Sequence, residues 1–373
     1  MLSRRTLLTT AAAAALAPAQ TPAPEWRNRQ KGMTYRMLGR TGLMVSEIVC
    51  GGDPVRLNHF EHLHLAAEMG LNYLDMAPAY GRGEAEQAYG KFLGGSARRE
   101  KFFLATKASG FSGLRNRLYL EIFKGLPEAR QKAIQQRANE LLEASGAMKP
   151  GYFLEYWPGI TRELPAAYLS NAMMPDFAHR VEASPEFRKF IVESLEGSLK
   201  RVGTDYFDIF HVPHGAAAPE ELDIPEILAT FQDLKKQGKV RFLGLSTHSD
   251  PAALVRKAAA LGHYDMAMCA YNFVNGAAMD PVIREAAGRG MGIIAMKAAM
   301  AAATQHKQLQ PVPEWRIAMI NRLIPGPMKP PMKAYLWALQ NPHLTAVISN
   351  LWDETHVREN LSLAGRKVKL ELA

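Results

Sequence analysis

A carboxylate, a phenol and an ammonium group follow two successive apolar segments of the chain, and an imidazole follows a third. Asp75 and Tyr80 lie in NYLDMAPAYG, Lys107 ends FFLATK, and His214 follows DYFDIFHVP. A phenol has an ordinary pKa of about 10, and a neighbouring ammonium stabilises the phenolate and should lower that pKa. A carboxylate would hold the ammonium, and an imidazole could orient a substrate oxygen. The set predicts a site that gives a proton to a carbonyl oxygen.

Apolar segments of strand length alternate with segments of helical periodicity along the chain. The first candidate strand ends at IVCGG, and seven more follow at Tyr73–Met76, Phe102–Thr106, Tyr206–His211, Arg241–Ser246, Asp265–Ala270, Gly292–Met296 and Thr345–Ser349. Eight β/α units favour a closed (β/α)8 TIM barrel over an open sheet. MTYRMLG and LMVSEIV predict an N-terminal β-hairpin before the first strand. Active sites of such barrels lie at the carboxyl ends of the strands, so the fold would bring the four residues above to one rim.

A long insertion interrupts the alternation after the third strand. Residues 108–183 separate Lys107 from a helix that begins near Pro185, whereas an ordinary βα loop has about 2–6 residues. The insertion contains a helical segment, GLPEARQKAIQQRANELLEASG, and four clustered aromatic residues, Tyr152, Phe153, Tyr156 and Trp157. Because both of its ends leave the predicted catalytic rim, we interpret it as a lid or substrate wall. The alternative is a surface insertion with a small core of its own, or an oligomer contact.

The N-terminus is typical of an exported protein. Arg4 and Arg5 precede an alanine-rich apolar run, and Ala17-Pro18-Ala19 offers a cleavage site of small residues. This pattern is similar to a twin-arginine signal, and a frayed basic terminus is the alternative. We therefore predict a signal peptide at residues 1–19, a tether at 20–32, a barrel at 33–373, and a periplasmic or exported location.

Composition excludes several other classes of protein. The net charge is +9, but the basic residues are scattered and no basic run alternates with aromatic residues, which argues against nucleic-acid binding. After the first residues, no apolar segment is long enough to span a membrane. The two cysteines, Cys50 and Cys269, fall on the first and sixth predicted strands, and we expect two free buried thiols. No motif typical of metal ligands is present, so no metal site is predicted.

Several segments resemble the aldo-keto reductase family. They run from YRMLGRTGLMVSEIVCGG through GLNYLDMAPAYG, ATKAS, VGTDYFDIF and KVRFLGLST to GIIAMK and TAVISN. The resemblance implies the same barrel, and hydride transfer between a nicotinamide cofactor and a small carbonyl or alcohol substrate. It makes Tyr80 the general acid, Lys107 the group that lowers the tyrosine pKa, and Asp75 the partner of Lys107.

The resemblance leaves two candidates for the histidine that positions the carbonyl. The family has an imidazole about five residues after the aspartate of its Asp-Tyr-x-Asp motif, and here that position is Pro213. His211 and His214 lie on either side of it. We favour His214, because it lies at the end of the strand and precedes Gly215.

The resemblance also implies cofactor contacts, several of which differ from the family pattern. Seven residues are expected to contact the cofactor: Gly52, Ser246, Tyr271, Lys297, Ser349, Arg358 and Asn360. Met268 stands where the family has a glutamine, and Met296 where it has an aromatic residue that stacks on the nicotinamide. NADP is weakly preferred over NAD.

These differences keep two other functions open. A non-catalytic sensor or binding protein could keep the barrel and the cofactor. A lyase or isomerase could keep a nucleotide permanently bound, which would suit a compartment where free nucleotide is scarce.

Overall fold

Eight parallel strands form a closed barrel, and three short strands form a separate small sheet. The computed structural model describes residues 22–304 and 311–371. The small sheet contains β1 (Glu25–Trp26), β2 (Tyr35–Met37) and β3 (Leu43–Ser46). The barrel contains β4 (Ile48–Gly51), β5 (Tyr73–Asp75), β6 (Phe103–Ser109), β7 (Phe207–Ala216), β8 (Val240–Thr247), β9 (Met266–Ala270), β10 (Gly292–Met296) and β11 (Ala346–Ser349). Each barrel strand pairs in parallel with the next, and β11 pairs with β4. The predicted (β/α)8 barrel is confirmed.

Helices cover the outside of the barrel. In the described residues they are α1 (His62–Glu68), α2 (Glu84–Leu93), α3 (Ser96–Arg99), α4 (Phe111–Lys124), α5 (Glu128–Ser145), α6 (Glu163–Val181), α7 (Pro185–Val202), α8 (Pro225–Lys236), α9 (Pro251–Leu261), α10 (Gly276–Gly288), α11 (Glu314–Leu323), α12 (Pro330–Leu339) and α13 (Glu354–Leu361). The start of α7 is set locally, because the Ser184 hydroxyl accepts a hydrogen bond from the amide of Glu186 and Pro185 takes the first helical position. The helix ends at Gly203, which has a left-handed conformation.

Large side chains fill the barrel interior, so it is a packed core and not a pore. Tyr73, Phe103, Ile209, Met266 and Ile294 are fully buried there. Leu38, Leu43 and Val45 belong to the same buried cluster and come from the β2–β3 hairpin and the turn that joins it. The predicted hairpin therefore closes the amino-terminal end of the barrel, and the opposite rim is left for the site.

The prediction of a tether at residues 20–32 is wrong for the residues that the structure describes, 22–32. Glu25 and Trp26 pair in parallel with Leu43 and Met44, so β1 extends the small sheet. The Arg27 guanidinium donates to the backbone oxygen of Phe102 at 2.7 Å and lies 3.3 Å from the buried carboxylate of Asp208. A buried carboxylate requires a compensating charge, and Arg27 provides one. Residues 22–32 are therefore packed against the barrel and do not form a flexible linker. The predicted signal at residues 1–19 lies outside the described residues.

The insertion folds as three helices, α4, α5 and α6, with a loop between the last two. The predicted helix in the insertion corresponds to α5, whereas α4 and α6 were not predicted. Leu164, Ala167 and Tyr168 of the insertion form a small buried cluster with Ala217 and Ala218, which follow β7. The insertion is therefore packed on the carboxyl-terminal side of the barrel.

Both cysteines are buried and free, as predicted, and Cys50 lies on β4 while Cys269 lies on β9. Among the helices of the described residues, none has the length and apolar character needed to cross a membrane.

Candidate active site

Asp75, Tyr80 and Lys107 meet at the carboxyl-terminal rim, as the strand positions predict. The Lys107 ammonium donates to Asp75 Oδ2 at 2.5 Å, to the backbone oxygen of Met76 at 3.0 Å and to Tyr80 Oη at 3.2 Å. Asp75 is the last residue of β5, and Lys107 lies on the neighbouring strand β6. The Lys107 side chain is only 1% exposed, so its three partners replace water completely.

Burial dominates the protonation of this set. It lowers the pKa of Lys107 and raises that of Asp75, while the attraction between the two groups opposes both shifts. Burial, and then the Asp75 and Asp53 carboxylates, hold the pKa of Tyr80 well above its ordinary value. The lowered phenol pKa expected from the sequence is therefore not found. The phenol is protonated at neutral pH, and Lys107 is already hydrogen-bonded to the oxygen that would become a phenolate.

The backbone after β5 turns sharply to place Tyr80 at the rim. Gly81, Arg82 and Gly83 have φ angles of 58°, 55° and 90°, all in the left-handed region. A Cβ atom at Gly81 would lie 3.0 Å from the Arg56 guanidinium. The turn ends where α2 begins at Glu84, so the tyrosine is fixed between a strand end and a helix start.

The structure separates the two candidate histidines. His214 Nδ1 lies 2.8 Å from the Ser109 hydroxyl, and its ring is perpendicular to that of Tyr80 at a centroid distance of 6.4 Å. His211 is fully buried, its Nδ1 lies 3.1 Å from the Leu245 oxygen, and it does not line the rim. The register of β7 against its neighbours shifts between these histidines, and this shift carries His214 to the rim. Burial and the Lys107 charge hold the pKa of His214 well below its ordinary value, so its imidazole is neutral.

A cleft of about 880 Å³ opens beside this set. Gly52, Lys297 and Asn360 line the cleft, as do Met268 and Met296. A Cβ atom at Gly52 would lie 2.4 Å from the backbone oxygen of Asp75, so only glycine allows β4 and β5 to approach this closely at the rim.

The other four predicted cofactor residues do not line the cleft. Ser246 is fully buried in β8. The Tyr271 hydroxyl donates to Asp280 at 2.5 Å, so its side chain is held against α10 instead of the cleft. Ser349 accepts a hydrogen bond from Asn360 at 2.9 Å, and Arg358 is exposed on α13, where its nearest carboxylate is that of Glu354 at 3.6 Å. The packing and hydrogen bonds of these four side chains direct them away from the cleft, and their role as cofactor contacts stays a prediction.

Asp53 and His248 are among the titratable residues of the cleft that sequence reasoning missed. Both follow strand ends, Asp53 after IVCGG and His248 after the Ser246-Thr247 pair, so the rule that found Asp75 could have found them. Burial, and then the charge of Lys297, hold the pKa of His248 well below its ordinary value.

Lys297 and Trp157 meet across the cleft. Lys297 Nζ lies 5.1 Å from the centroid of the Trp157 ring, and the His248 ring lies perpendicular to that ring at 4.8 Å. Lys297 has a φ of 62°, a conformation that costs a residue other than glycine about 1–3 kcal/mol and that occurs mainly at functional sites. Burial lowers the pKa of Lys297 to about 8, and the Asp53 carboxylate opposes that shift. Trp157 therefore brings the insertion into contact with the rim, between a cation and an imidazole.

A barrel with this buried Asp–Lys–Tyr set at its rim agrees with the sequence family that the chain matches. The profile of the aldo/keto reductase family matches residues 53–159 and 178–370, and the chain belongs to that family. The unmatched residues 160–177 contain most of α6.

Individual relatives are distant. Aldo-keto reductase YhdN of Bacillus subtilis is 25% identical over 227 residues, which cover 58% of this chain and 48% of that protein. Aldo-keto reductase AMT2 of Alternaria alternata is 25% identical over 226 residues, with 57% and 49% covered. The chain thus spans about half the length of the curated relatives it matches. The holo form of aldo-keto reductase AKR11C1 from Bacillus halodurans has a TM-score of 0.58 at 18% identity, with 90% of this chain and 92% of that chain covered, and this similarity extends to the fold alone.

Proposed function

We propose that the protein is an oxidoreductase that transfers a hydride between a nicotinamide cofactor and a carbonyl or alcohol substrate. The observation that carries the proposal is the buried ammonium of Lys107, which bonds both Asp75 and the phenol of Tyr80 at the edge of a large cleft. Burial keeps the phenol protonated, and the ammonium provides a charge that stabilises the phenolate once the proton has left.

The chemistry of the cleft walls fits a nicotinamide nucleotide. Apolar side chains, cations and amides line it in turn: Met268 and Met296, Lys297 and Lys329, and Asn350 and Asn360. The methionines can pack on a planar ring, the ammonium groups can bind phosphates, and the amides can bind an adenosine. When bound, the reduced cofactor supplies the hydride.

The residues of this chain supply the proton and the orientation. The carbonyl oxygen accepts a hydrogen bond from Tyr80 and takes its proton as the carbonyl carbon is reduced. Lys107 stabilises the phenolate that remains, and Asp75 keeps the ammonium charged and in place. The neutral imidazole of His214 orients the same oxygen, and Ser109 fixes the ring of that imidazole.

Replacement of Tyr80 by phenylalanine tests the proposal. Loss of the proton donor should lower the aldehyde reduction rate by about 10²- to 10⁴-fold, while nucleotide binding is retained. The measurement is oxidation of NADPH and NADH over a panel of aldehydes and ketones, with fluorescence titration of the nucleotide as control. Equal rates for wild type and Tyr80→Phe would exclude Tyr80 as the acid.

NADP is the proposed cofactor, with NAD as the alternative. Lys329 and His356 line the cleft and could bind a 2′-phosphate. Glu359 lies 2.6 Å from Lys329, however, and a carboxylate in that position can instead accept a hydrogen bond from the ribose 2′-hydroxyl of NAD. Release of nucleotide from the native protein, followed by mass spectrometry, would identify the cofactor and would also reveal a permanently bound nucleotide.

Export through a twin-arginine signal is proposed from Arg4, Arg5 and the small residues at 17–19. Conversion of both arginines to lysine should retain the protein in the cytoplasm, and cell fractionation would test this. An unchanged distribution would contradict the proposal.

The insertion is proposed to act as a lid or substrate wall. The support is Trp157, which lines the cleft while Tyr156 beside it bonds Asn272 at 3.0 Å and anchors the loop.

A further inference from the structure

A second buried carboxylate lies behind Lys107, on the outer side of the same strand. Successive side chains of a strand point to opposite faces, so Thr106 faces the surrounding helices while Lys107 faces the barrel interior. The Thr106 hydroxyl donates to Glu86 Oε1 at 2.8 Å, and Glu86 is fully buried near the start of α2. The thickness of one barrel strand therefore separates the Glu86 carboxylate from the Lys107 ammonium.

An arginine of α7 pairs with this carboxylate from the side away from Lys107. Arg201 Nε donates to Glu86 Oε2 at 2.5 Å, and Arg201 Nη2 donates to the Ser198 hydroxyl at 3.2 Å. The Arg201 side chain is 28% exposed, whereas the Glu86 side chain is 0% exposed. Because water screens an exposed charge more than a buried one, the arginine does not fully cancel the field of Glu86 at Lys107.

The same arginine supports the turn that follows Tyr80. A Cβ atom at Gly83 would lie 2.7 Å from Arg201 Cδ and 2.9 Å from Arg201 Nε, so the backbone of the turn packs directly on the arginine side chain. Gly83 ends the turn that begins at Tyr80, and Thr106 directly precedes Lys107. The Glu86–Arg201 pair thus contacts both chain segments that carry the proposed acid and its ammonium.

Glu86 belongs to a set of charges that act on Lys107. Burial has the largest influence on the pKa of Lys107 and lowers it, whereas the carboxylates of Asp75, Glu86 and Asp53 oppose that shift. Asp75 and Asp53 line the cleft, but Glu86 does not, so a bound ligand would leave its surroundings unchanged. The other titratable groups that face the ammonium are the Tyr80 phenol, the Lys297 ammonium and the imidazoles of His211, His214 and His248.

We propose that Glu86 is a positioning residue of the reductase, which keeps the Lys107 ammonium charged and in contact with Tyr80 without touching substrate or cofactor. Its negative charge acts on Lys107 across β6, and its ion pair with Arg201 supports the turn after Tyr80. This inference rests on the proposed reductase function, because it explains how the acid of that reaction is held.

Replacement of Glu86 by glutamine tests the inference, because it removes the charge and keeps the shape of the side chain. Loss of the negative charge should lower the pKa of Lys107, so that the alkaline fall in kcat begins about one pH unit below that of wild type. Glu84→Gln is the matched control, since it makes the same change two residues earlier on α2 at a carboxylate that is 37% exposed, and it should leave the pH profile unchanged.

The conservative variant Glu86→Asp separates charge from packing. It keeps the carboxylate and should retain the alkaline limb of wild type, and this expectation holds even where Glu86→Gln fails to fold. A limb that moves in Glu86→Asp as it does in Glu86→Gln would overturn the inference, because the shape of the side chain and not its charge would then matter.

A direct measurement of the Lys107 pKa separates failure of the inference from failure of the proposed function. Protein labelled with ¹³C at lysine Cε is titrated by NMR, and the Lys107 signal is assigned by its absence from Lys107→Met. The pKa should lie about one pH unit lower in Glu86→Gln than in wild type. If carbonyls are reduced but neither this pKa nor the alkaline limb moves in Glu86→Gln, the inference is overturned and the reductase function stands. If no carbonyl is reduced while the Lys107 pKa depends on Glu86, the reductase function fails and the electrostatic role of Glu86 stands.

Discussion

Two arcs of the same rim differ in how well the strand ends predict the site. The first arc, at β5 to β7, contains Asp75, Tyr80, Lys107 and His214, and all four side chains line the cleft or bond a residue that does. The second arc, at β8 to β11, contains Ser246, Tyr271, Lys297 and Ser349, of which Lys297 lines the cleft and Ser349 bonds Asn360, which also lines it. Strand ends predicted the first arc, whereas the residues of the second arc were expected from the resemblance to the family.

The difference arises from what decides the direction of each side chain. In the first arc the partners are other polar groups of the same arc, so the ion pair itself turns the side chains toward one another. In the second arc, partners on the surrounding helices compete. Tyr271 is bonded to Asp280 on α10, and Ser349 to Asn360 on α13. Strand register places a residue at a rim, but the nearest unsatisfied partner decides where its side chain lies.

Loss of the ion pair should have the largest effect on the first arc. Lys107→Met leaves the Asp75 carboxylate buried without its countercharge and should lower the free energy of unfolding by about 3–5 kcal/mol. Reduction should fall by about 100-fold or more, because the phenolate also loses its stabilising charge. Urea denaturation and aldehyde kinetics measure the two effects, with the exposed Lys91→Met as control. If Lys107→Met were as stable and active as wild type, the ion pair would not be what organises the first arc, and the two arcs would no longer differ in this respect.

A smaller effect is expected at Glu163, which faces the second arc through Ser249. Burial raises the pKa of Glu163 to about 7 from its ordinary value of 4.5. The native protein therefore binds the extra proton between these pH values, and stability falls as pH rises through that window. Glu163→Gln cannot ionise and should be more stable than wild type by about 2 kcal/mol at pH 8, with little difference at pH 4.

Urea denaturation at both pH values measures this dependence on Glu163. The control is Glu143→Gln, at an exposed carboxylate on α5, which should show no such pH dependence. If Glu163→Gln raised the free energy of unfolding equally at both pH values, the stabilisation would come from packing and not from the loss of ionisation.

Removal of the indole should affect catalysis more than folding. Trp157→Ala opens the wall of the cleft and removes the contacts with Lys297 and His248. We expect kcat/KM to fall about tenfold, because the substrate is held less closely and water enters the site. Trp315→Ala is the control, since that residue is 53% exposed and does not line the cleft. Equal effects of the two substitutions would refute the proposed role of the insertion as a lid.

Much of the barrel could be predicted, because alternating apolar strands and amphipathic helices repeat eight times. Helix α5 was found from its own pattern, but α6 was missed, as it contains Pro175 and its buried residues include Ser170 and Asn171. The docking of residues 22–32 was missed because its cause, the buried carboxylate of Asp208, lies about 180 residues away in the chain. The local sequence pattern predicts helices and strands well. Contacts between distant segments depend on ion pairs, and the sequence does not show which charged residues will pair.

The raised pKa of Tyr80 illustrates the same limit within the predicted site. The sequence indicates that an ammonium lies near the phenol, which alone would lower the pKa. It does not indicate that Asp75 would largely neutralise that ammonium, nor that burial would raise the pKa of the phenol. The residues of the site could be predicted from the sequence. Their pKa values could not, because these depend on how deeply each side chain is buried in the folded protein.

The smallest expected effect tests the second arc directly. Tyr271→Phe removes a hydroxyl that bonds Asp280, and it should lower the free energy of unfolding by about 1 kcal/mol without changing nucleotide affinity. The resemblance to the family alone would give the opposite result, a loss of nucleotide binding with little change in stability. Fluorescence titration with NADPH and NADH, together with urea denaturation, distinguishes the two. Asp280→Asn is the matched control, because it weakens the same hydrogen bond from the other side and should reproduce the stability change. A selective loss of nucleotide affinity in Tyr271→Phe would mean that the ring turns into the cleft when the cofactor binds, and the two arcs would then follow the same rule.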